Sequence, residues 1–398
     1  MSLPNVLVGI DIGTSGIKIT VADSTDNFVI KAMAEYPSQG VQKGRIIDID
    51  RAVKSLENAI RLAEEAGRTE IRDIIVNVSG PEVQGILSTG SLLISRSSHR
   101  VTEWDVVRVL ELARQNIVPT GKETICAVPR SFFVDGNYTP NPVGLRGRLL
   151  EVETMLILAP PDLLQERLDL AKRLGLKVDS VNAGIVATAG SALSPEDTGV
   201  ALVDVGAGLT EIGIFDERGL CWLTSLPIGG DYITSDISFG LQVPKELAEK
   251  IKLQFGSLNR DDFHEGFTIP GLKGDGPKKI NRQFVTEIID SRITEIFDLI
   301  KQAILQSGYN DRVRKGLIFT GGVTKVPGFL ERAHEYLKVP VCLGHNDGIY
   351  LGDPRYSCSL GLVLCHSQNV AGLQQTASVK DESMEFLARI IRIFKKFV

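Results

Sequence analysis

Two segments of this chain follow one plan. In VGIDIGTSGIKI, near the start, an apolar strand runs into Asp11, a small apolar residue, a glycine-containing turn and a second strand. ALVDVGAGLTEIGIF repeats that order around Asp204. A single hairpin of this kind is commonly just a tight turn. Two of them, opening successive halves, predict a duplicated α/β architecture in which Asp11 and Asp204 hold equivalent places. The length of 398 residues agrees, because it exceeds what one ordinary hydrophobic core organises.

The stretches between and after the hairpins read in order. DIDRAVKSLENAIRLAEEAG has apolar residues at helical spacing, with Gly67 as the expected stop, and IRDIIVNVSG is a buried strand. From Pro81 to about Ala159 the pattern changes to short strands, the helix EWDVVRVLELARQ and turn-rich connections, so this segment is read as an inserted unit. PDLLQERLDLAKRLGL is an amphipathic helix, and KVDSVNAGIVATAGSAL a strand leading into a helix of small residues. After the second hairpin come the helical VPKELAEKIKLQFG, a loop at IPGLKGDGPKK and the long helix NRQFVTEIIDSRITEIFDLIKQAIL. KGLIFTGGVTKVPGFLERAHEYLKVPV then reads as strand, glycine pair, turn, helix beginning near Pro327, and strand. Residues 366–383 are polar and aperiodic, the composition of a linker.

Composition removes several classes of function. A net charge of −5 argues against nucleic acid as the main partner. The cysteines (Cys126, Cys221, Cys342, Cys358, Cys365) form no CxxC pair, and MSLPNVLVGIDIG lacks both a basic n-region and a long apolar run. Reduced thiols in a cytosolic protein are therefore expected. No stretch reaches the ~18 uninterrupted apolar residues of a spanning helix. His99, His264, His334, His345 and His366 show no metal-ligand spacing.

Glycine turns let backbone N–H groups approach a phosphate, since no Cβ blocks them. Gly13, Thr14, Ser15 and Gly16 supply such donors at the first hairpin, with two hydroxyls assisting, and Gly206, Ala207 and Gly208 at the second. Asp11 and Asp204 would face the same phosphates. Mg²⁺ keeps most of its waters, so these carboxylates would hold a Mg²⁺–nucleotide from outside that hydration shell. Lys18, on the strand leaving the first turn, is in reach of a phosphate oxygen, and Gly321 and Gly322 offer a flat surface for adenine or ribose. The chain has neither GxxxxGK[ST] nor GxGxxG, so the expected site is neither a Walker loop nor a dinucleotide fold.

These segments resemble the phosphate-one, phosphate-two and adenosine motifs (VGIDIGTSGIKI, ALVDVGAGLTEIGIF, IFTGGVTKVPGF) of the actin, heat-shock chaperone and sugar kinase superfamily. Within it the resemblance is to the FtsA family of bacterial cell-division proteins, carried also by IRDIIVNVSGPEVQGILSTGSLLI, VTEWDVVRVLELARQNIVP, AVPRSFFVDG and NPVGLRGRLLEVE, which are similar to that family's inserted subdomain. The resemblance implies an actin-like (ribonuclease H-like) duplicated two-domain fold. Its first domain would comprise residues 1–81, 160–190 and about 352–368, with the insertion at 82–159. The second would comprise 191–230 and 305–351, with a nucleotide-covering and partner-binding subdomain at 231–304. A linker at 366–383 and a terminal helix at 384–398 would follow. It implies ATP or ADP with Mg²⁺, Thr210 beside the second phosphate turn, Glu249 and Lys252 at ribose and adenine, and Val323 in the adenosine pocket.

One departure stands out: the family's phosphate-two turn usually reads Gly-Gly-Gly-Thr, and here it is GAGLT. Ala207 offers its N–H only if the turn needs no positive φ there, so binding is a firmer expectation than turnover. No catalytic residue is assigned. Asn182 falls where actin-like ATPases carry a polar residue, but helix capping is the preferred explanation. The resemblance also implies that the 231–304 subdomain binds the acidic, apolar C-terminal peptide of FtsZ, for which Arg292, Lys278, Lys279 and Arg282 form a basic edge; a solvated helix face is the alternative.

The chain ends in ESMEFLARIIRIFKKFV. On a helical wheel Glu385, Arg389, Arg392, Lys395 and Lys396 fall within an arc of about 120°. Phe386, Leu387, Ile390, Ile391, Phe394 and Phe397, with Ile393 and Val398, occupy the other side. As a helix, residues 384–398 extend only ~22 Å, short of the ~30 Å hydrocarbon core. A docked core helix is one reading. The cationic face beside a Phe/Ile face after a polar linker predicts the other, an anchor lying in an anionic leaflet, and the resemblance implies such a targeting helix. The expected protein polymerises on the cytoplasmic face of the membrane at the division site and holds FtsZ there. A PilM-like pilus-assembly scaffold and a small-molecule kinase are the competing readings.

Overall fold

The computed structural model describes residues 6–373 apart from 24–27, 96, 116–117, 260–265, 270–275 and 346–351. The terminal helix expected at 384–398 lies outside them, as does the linker beyond Leu373.

The first domain opens with β1 (Val6–Ile12), β2 (Gly16–Asp23) and β3 (Val29–Pro37), then a short hairpin of β4 (Val41–Gln42) and β5 (Arg45–Ile46). Helix α1 (Ile49–Gly67) follows, its N-cap Asp48 accepting from the Arg51 N–H. It ends at Gly67, but the left-handed residue that stops it is Arg68. Strand β6 (Asp73–Val78) leads into the inserted unit: β7 (Gln84–Leu93), α2 (Glu103–Gln115), β8 (Glu123–Val134), β9 (Asn137–Thr139) and β10 (Leu149–Ala159). The chain returns through α3 (Pro161–Arg173), β11 (Lys177–Ala183) and α4 (Gly184–Ala192).

The second domain repeats the scheme with β12 (Val200–Val205), β13 (Thr210–Asp216) and β14 (Gly219–Leu226). Its helical part contains α5 (Gly230–Leu241), α6 (Lys245–Phe255), a small ribbon of β15 (Phe267–Ile269) and β16 (Lys278–Ile280), and α7 (Arg282–Gln306). It closes with β17 (Gly316–Thr320), α8 (Phe329–Leu337) and β18 (Val341–Leu343), before α9 (Ser357–Leu373) crosses back to the first domain. The expected linker is helical through Leu373, because the HSQNVAGL stretch contains no proline to end α9.

The sheet orders expose the duplication: β11-β6-β1-β2-β3 in one half and β14-β13-β12-β17-β18 in the other. Each has an antiparallel hairpin beside a parallel strand, β1 with β2 and β6, and β12 with β13 and β17. Hence both glycine turns emerge at corresponding sheet ends and face one cleft. Helices α4 and α9, both lined by small buried residues, pack against each other between the halves. The inserted unit forms its own sheet, β7-β10-β8-β9, with α2 over one face. It is moored to the second domain by Arg130, whose guanidinium is buried and bonds Asp216 and the Leu220 carbonyl. Among the described residues no helix is long and apolar enough to cross a membrane.

Candidate functional site

The cleft between the halves holds about 680 Å³. Its wall includes Asp11, Gly13, Thr14, Ser15 and Lys18 from the first hairpin, and Asp204, Gly206, Ala207 and Gly208 from the second. Glu249 and Lys252 from α6, and Gly321, Gly322 and Val323 after β17, complete the set brought together. Two expected residues are elsewhere. Gly16 begins β2 behind the turn, offering its carbonyl to the Lys18 ammonium at 3.3 Å. Thr210 is fully buried and donates to the Ile228 carbonyl at 2.9 Å, since its side chain points into the second-domain core rather than the cleft.

The two turns approach closely. A Cβ on Gly208 would sit 2.5 Å from the Thr14 hydroxyl, so this position admits only glycine without movement. Ala207 is not among the positive-φ residues, so an alanine there costs the turn nothing and its N–H is retained. Gly321 has φ of 92°, and a Cβ would lie 2.2 Å from a carboxylate oxygen of Asp204. Gly321 thus lets the backbone after β17 pass directly over that carboxylate.

Charge at the cleft floor is unbalanced. Lys18 faces Asp11 across the β1–β2 pair, with its ammonium 3.7 Å from the carboxylate. Asp11 also accepts from Asn77 at 2.8 Å, and Asn77 in turn accepts from the Ile12 N–H at 2.9 Å. Burial raises the pKa of Asp11 despite Lys18 and Asn77. Asp204, bonded weakly by the Thr188 hydroxyl at 3.4 Å, is pushed up to about 7 by burial and then by Asp11. Glu211 lies beside them, accepting from Ser79 at 2.9 Å, and burial followed by Asp204 pushes it up to about 8. Three half-buried carboxylates around one ammonium make a site that favours added positive charge. Among the described residues no three metal-ligating side chains converge closely enough for direct coordination.

Glu211, Asn77 and Ser79 also line the cleft, and the motif reading overlooked them. Overlaying the two hairpins would have found Glu211, because Asp204 pairs with it as Asp11 pairs with Lys18. Asn182, by contrast, lies on β11 beside Asn77, and α4 begins after Ala183 with no side-chain cap, so capping does not explain it.

Lys252 donates to the Gly230 carbonyl at 3.1 Å and to Thr234 at 2.8 Å, and pairs with Glu249 at 2.7 Å. These contacts fix both side chains on the second-domain wall. The basic edge expected on α7 is reordered: Arg292 is turned inward onto Asp236, at 2.6 and 2.9 Å, and onto Glu295. Its neighbours in that expectation differ. Lys278 and Lys279 are exposed and Arg282 half-buried at the N-terminus of α7, where Phe239 and Phe284 also stand exposed.

Comparison with known proteins agrees with this architecture. The family model "Cell division protein FtsA" matches residues 201–361, and "SHS2 domain inserted in FTSA" matches residues 80–158. Cell division protein FtsA of Borreliella burgdorferi is 32% identical over 90% of this chain and 90% of its own length. That of Bacillus subtilis is 30% identical over 98% of this chain and 90% of its own. Among solved structures, a PilM–PilN type IV pilus biogenesis complex aligns with a TM-score of 0.61 at 16% identity, covering 90% of this chain and 97% of that one. MreB5 of Spiroplasma citri bound to AMPPNP aligns at 0.57 and 12%, covering 94% and 99%. The structural likenesses establish an actin-like fold, and with the sequence identities they show that the chain belongs to the FtsA family of cell division proteins.

Proposed function

We propose that this protein is an ATP-binding membrane scaffold of cell division, in which the nucleotide acts as a conformational switch more than as a substrate for turnover. The observation that carries the reading is the cleft itself. Two glycine turns, Lys18, and the Gly321–Val323 backbone line one cavity between the two halves. Gly13, Thr14 and Ser15 with Lys18 would hold phosphates from one side, and Gly206, Ala207 and Gly208 from the other. Glu249, Lys252, Gly321, Gly322 and Val323 would receive ribose and adenine. Asp11 and Asp204 would hold Mg²⁺ through its waters, and the cation would neutralise phosphate charge between the halves.

Filaments on the cytoplasmic face of the membrane would form in the nucleotide-closed state, and the amphipathic helix at 384–398 would anchor them in anionic lipid. The α5–α7 end, with exposed Phe239 and Phe284 beside Lys278, Lys279 and Arg282, suits an acidic, apolar peptide such as the C-terminus of FtsZ. Arg292 supports this surface from behind.

Electron microscopy on anionic lipid monolayers with ATP, ADP and no nucleotide tests the proposal. Filaments should form with ATP and be absent for Asp11→Ala. Deleting residues 384–398 should release the protein from anionic liposomes while ATP binding persists; retention on liposomes would contradict the anchor. A PilM-like scaffold is the second reading, favoured by the fold likeness. A pull-down that captures a pilus-protein peptide in preference to the FtsZ peptide would establish it.

A further inference from the structure

The β4–β5 hairpin, for which the nucleotide reading assigns no role, lies across the mouth of the cleft. Its two-residue turn is Lys43–Gly44, with φ of 48° and 78°, the geometry of a type I′ turn. That turn ordinarily takes Asn, Asp or Gly first, so a lysine there is conformationally disfavoured. Several contacts hold it. Arg167, fully buried in α3, donates to the Gly44 carbonyl, and the Ile46 N–H donates to Glu166 at 2.8 Å. Arg45 reaches Asp162 at 2.6 Å and Glu166 at 3.0 Å. The Lys43 N–H donates to the Thr14 hydroxyl at 3.2 Å, which ties the hairpin to the first phosphate turn.

From this braced turn the Lys43 side chain crosses to the other domain. Its ammonium donates to the Tyr232 hydroxyl at 2.8 Å and lies 5.0 Å from the centre of that ring. Tyr232 sits in the first turn of α5. The guanidinium of Arg292 also lies over the ring, at 5.3 Å, and is itself locked to Asp236. One aromatic ring is thus engaged by a cation from the first domain and by a cation from α7. Both half-buried partners would have to separate if the two halves swung apart.

We propose that Lys43 and Tyr232 form a latch across the cleft, which resists opening of the two halves and slows departure of whatever the cleft holds. Because Arg292 fixes the ring, the latch also joins closure mechanically to α7, the helix bearing the proposed peptide edge. The latch concerns the two domains alone; its effect on ligand release rests on the nucleotide reading.

Hydrogen–deuterium exchange on the ligand-free full chain tests it, comparing the natural protein with Lys43→Met, Tyr232→Phe and Tyr232→Leu. Each change should be felt in the other domain. Lys43→Met should speed exchange in residues 230–241, and Tyr232→Leu in residues 39–47, by about tenfold, the value of a charge-assisted hydrogen bond. Tyr232→Phe, which keeps the ring, should show a smaller effect in the same segments. If each substitution alters exchange only around itself, the latch is refuted. Should Tyr232→Leu fail to fold, the other two variants carry the same comparison. Dissociation of a fluorescent ADP, followed by stopped flow, should accelerate in the same order. Failure of the natural protein to bind that probe would count against the nucleotide reading, and the exchange result would still decide the latch.

Discussion

The two hairpins have the same backbone and opposite chemistry. Asp11 faces Lys18 across β1 and β2, and Asp204 faces Glu211 across β12 and β13, at matching register. Opposite charges face each other in the first hairpin. In the second, two carboxylates do, an arrangement that ordinarily destabilises a strand pair; burial raises both pKa values, with Asp11 adding to it at Asp204 and Asp204 adding to it at Glu211. The two hairpins share their geometry and differ in charge at one register position, and on the proposed function that difference divides two tasks. The first half can grip an anion, while the second concentrates negative charge suited to a hydrated cation or a water.

Breaking the first half should have the larger effect. Lys18→Met keeps the aliphatic stem but removes the only ammonium that faces Asp11 in this pair, and should weaken ATP binding by about a hundredfold or more. Calorimetry would read this directly. Glu211→Gln removes one of three carboxylates and preserves the Ser79 contact, so ATP affinity should change by only a few-fold. Any residual hydrolysis, measured as phosphate release, should fall by about a hundredfold if Glu211 serves the attacking water.

The same residue sharpens the comparison through pH. In the ligand-free protein Glu211 and Asp204 titrate near 8 and 7, against about 4.5 and 3.8 for their ordinary values. Between those limits the folded state holds protons that the unfolded chain has released. Stability from these groups is therefore complete below pH 4 and is lost as pH rises through 7 and 8, by at most about 1.4 kcal/mol per pH unit for each. Thermal melts in chelator should show the midpoint falling between pH 5 and 8 and levelling off above that, with a shallower fall in Glu211→Gln. The smallest effect is expected from Ala207→Gly. It should leave affinity within about twofold and lower stability by about 0.5 kcal/mol, through the freer unfolded chain.

What could be read from the sequence was local. The aspartates, glycine turns and paired glycines lie within a few residues of one another, so both hairpins and the adenosine-side strand were legible, as was the inserted unit from its change of pattern. Contacts made by distant segments were not. Asn77 and Ser79 reach the cleft only because β6 lies parallel to β1. Thr210 belongs to the core because its strand phase points it inward, which a motif does not disclose. Arg292 looked like part of a surface edge until Asp236, from a separate helix, was found to hold it. Exposure of Phe239 and Phe284 is likewise a property of how α5 meets α7, not of either helix alone.

The central claim is that the two hairpins divide anion grip from cation and water handling. The most direct measurement is calorimetric titration of MgATP into the full-length natural protein, Lys18→Met and Glu211→Gln under identical conditions. The account predicts one-to-one binding by the natural protein, its near loss in Lys18→Met and its retention in Glu211→Gln. Equal losses in the two variants, or undiminished binding without Lys18, would contradict it.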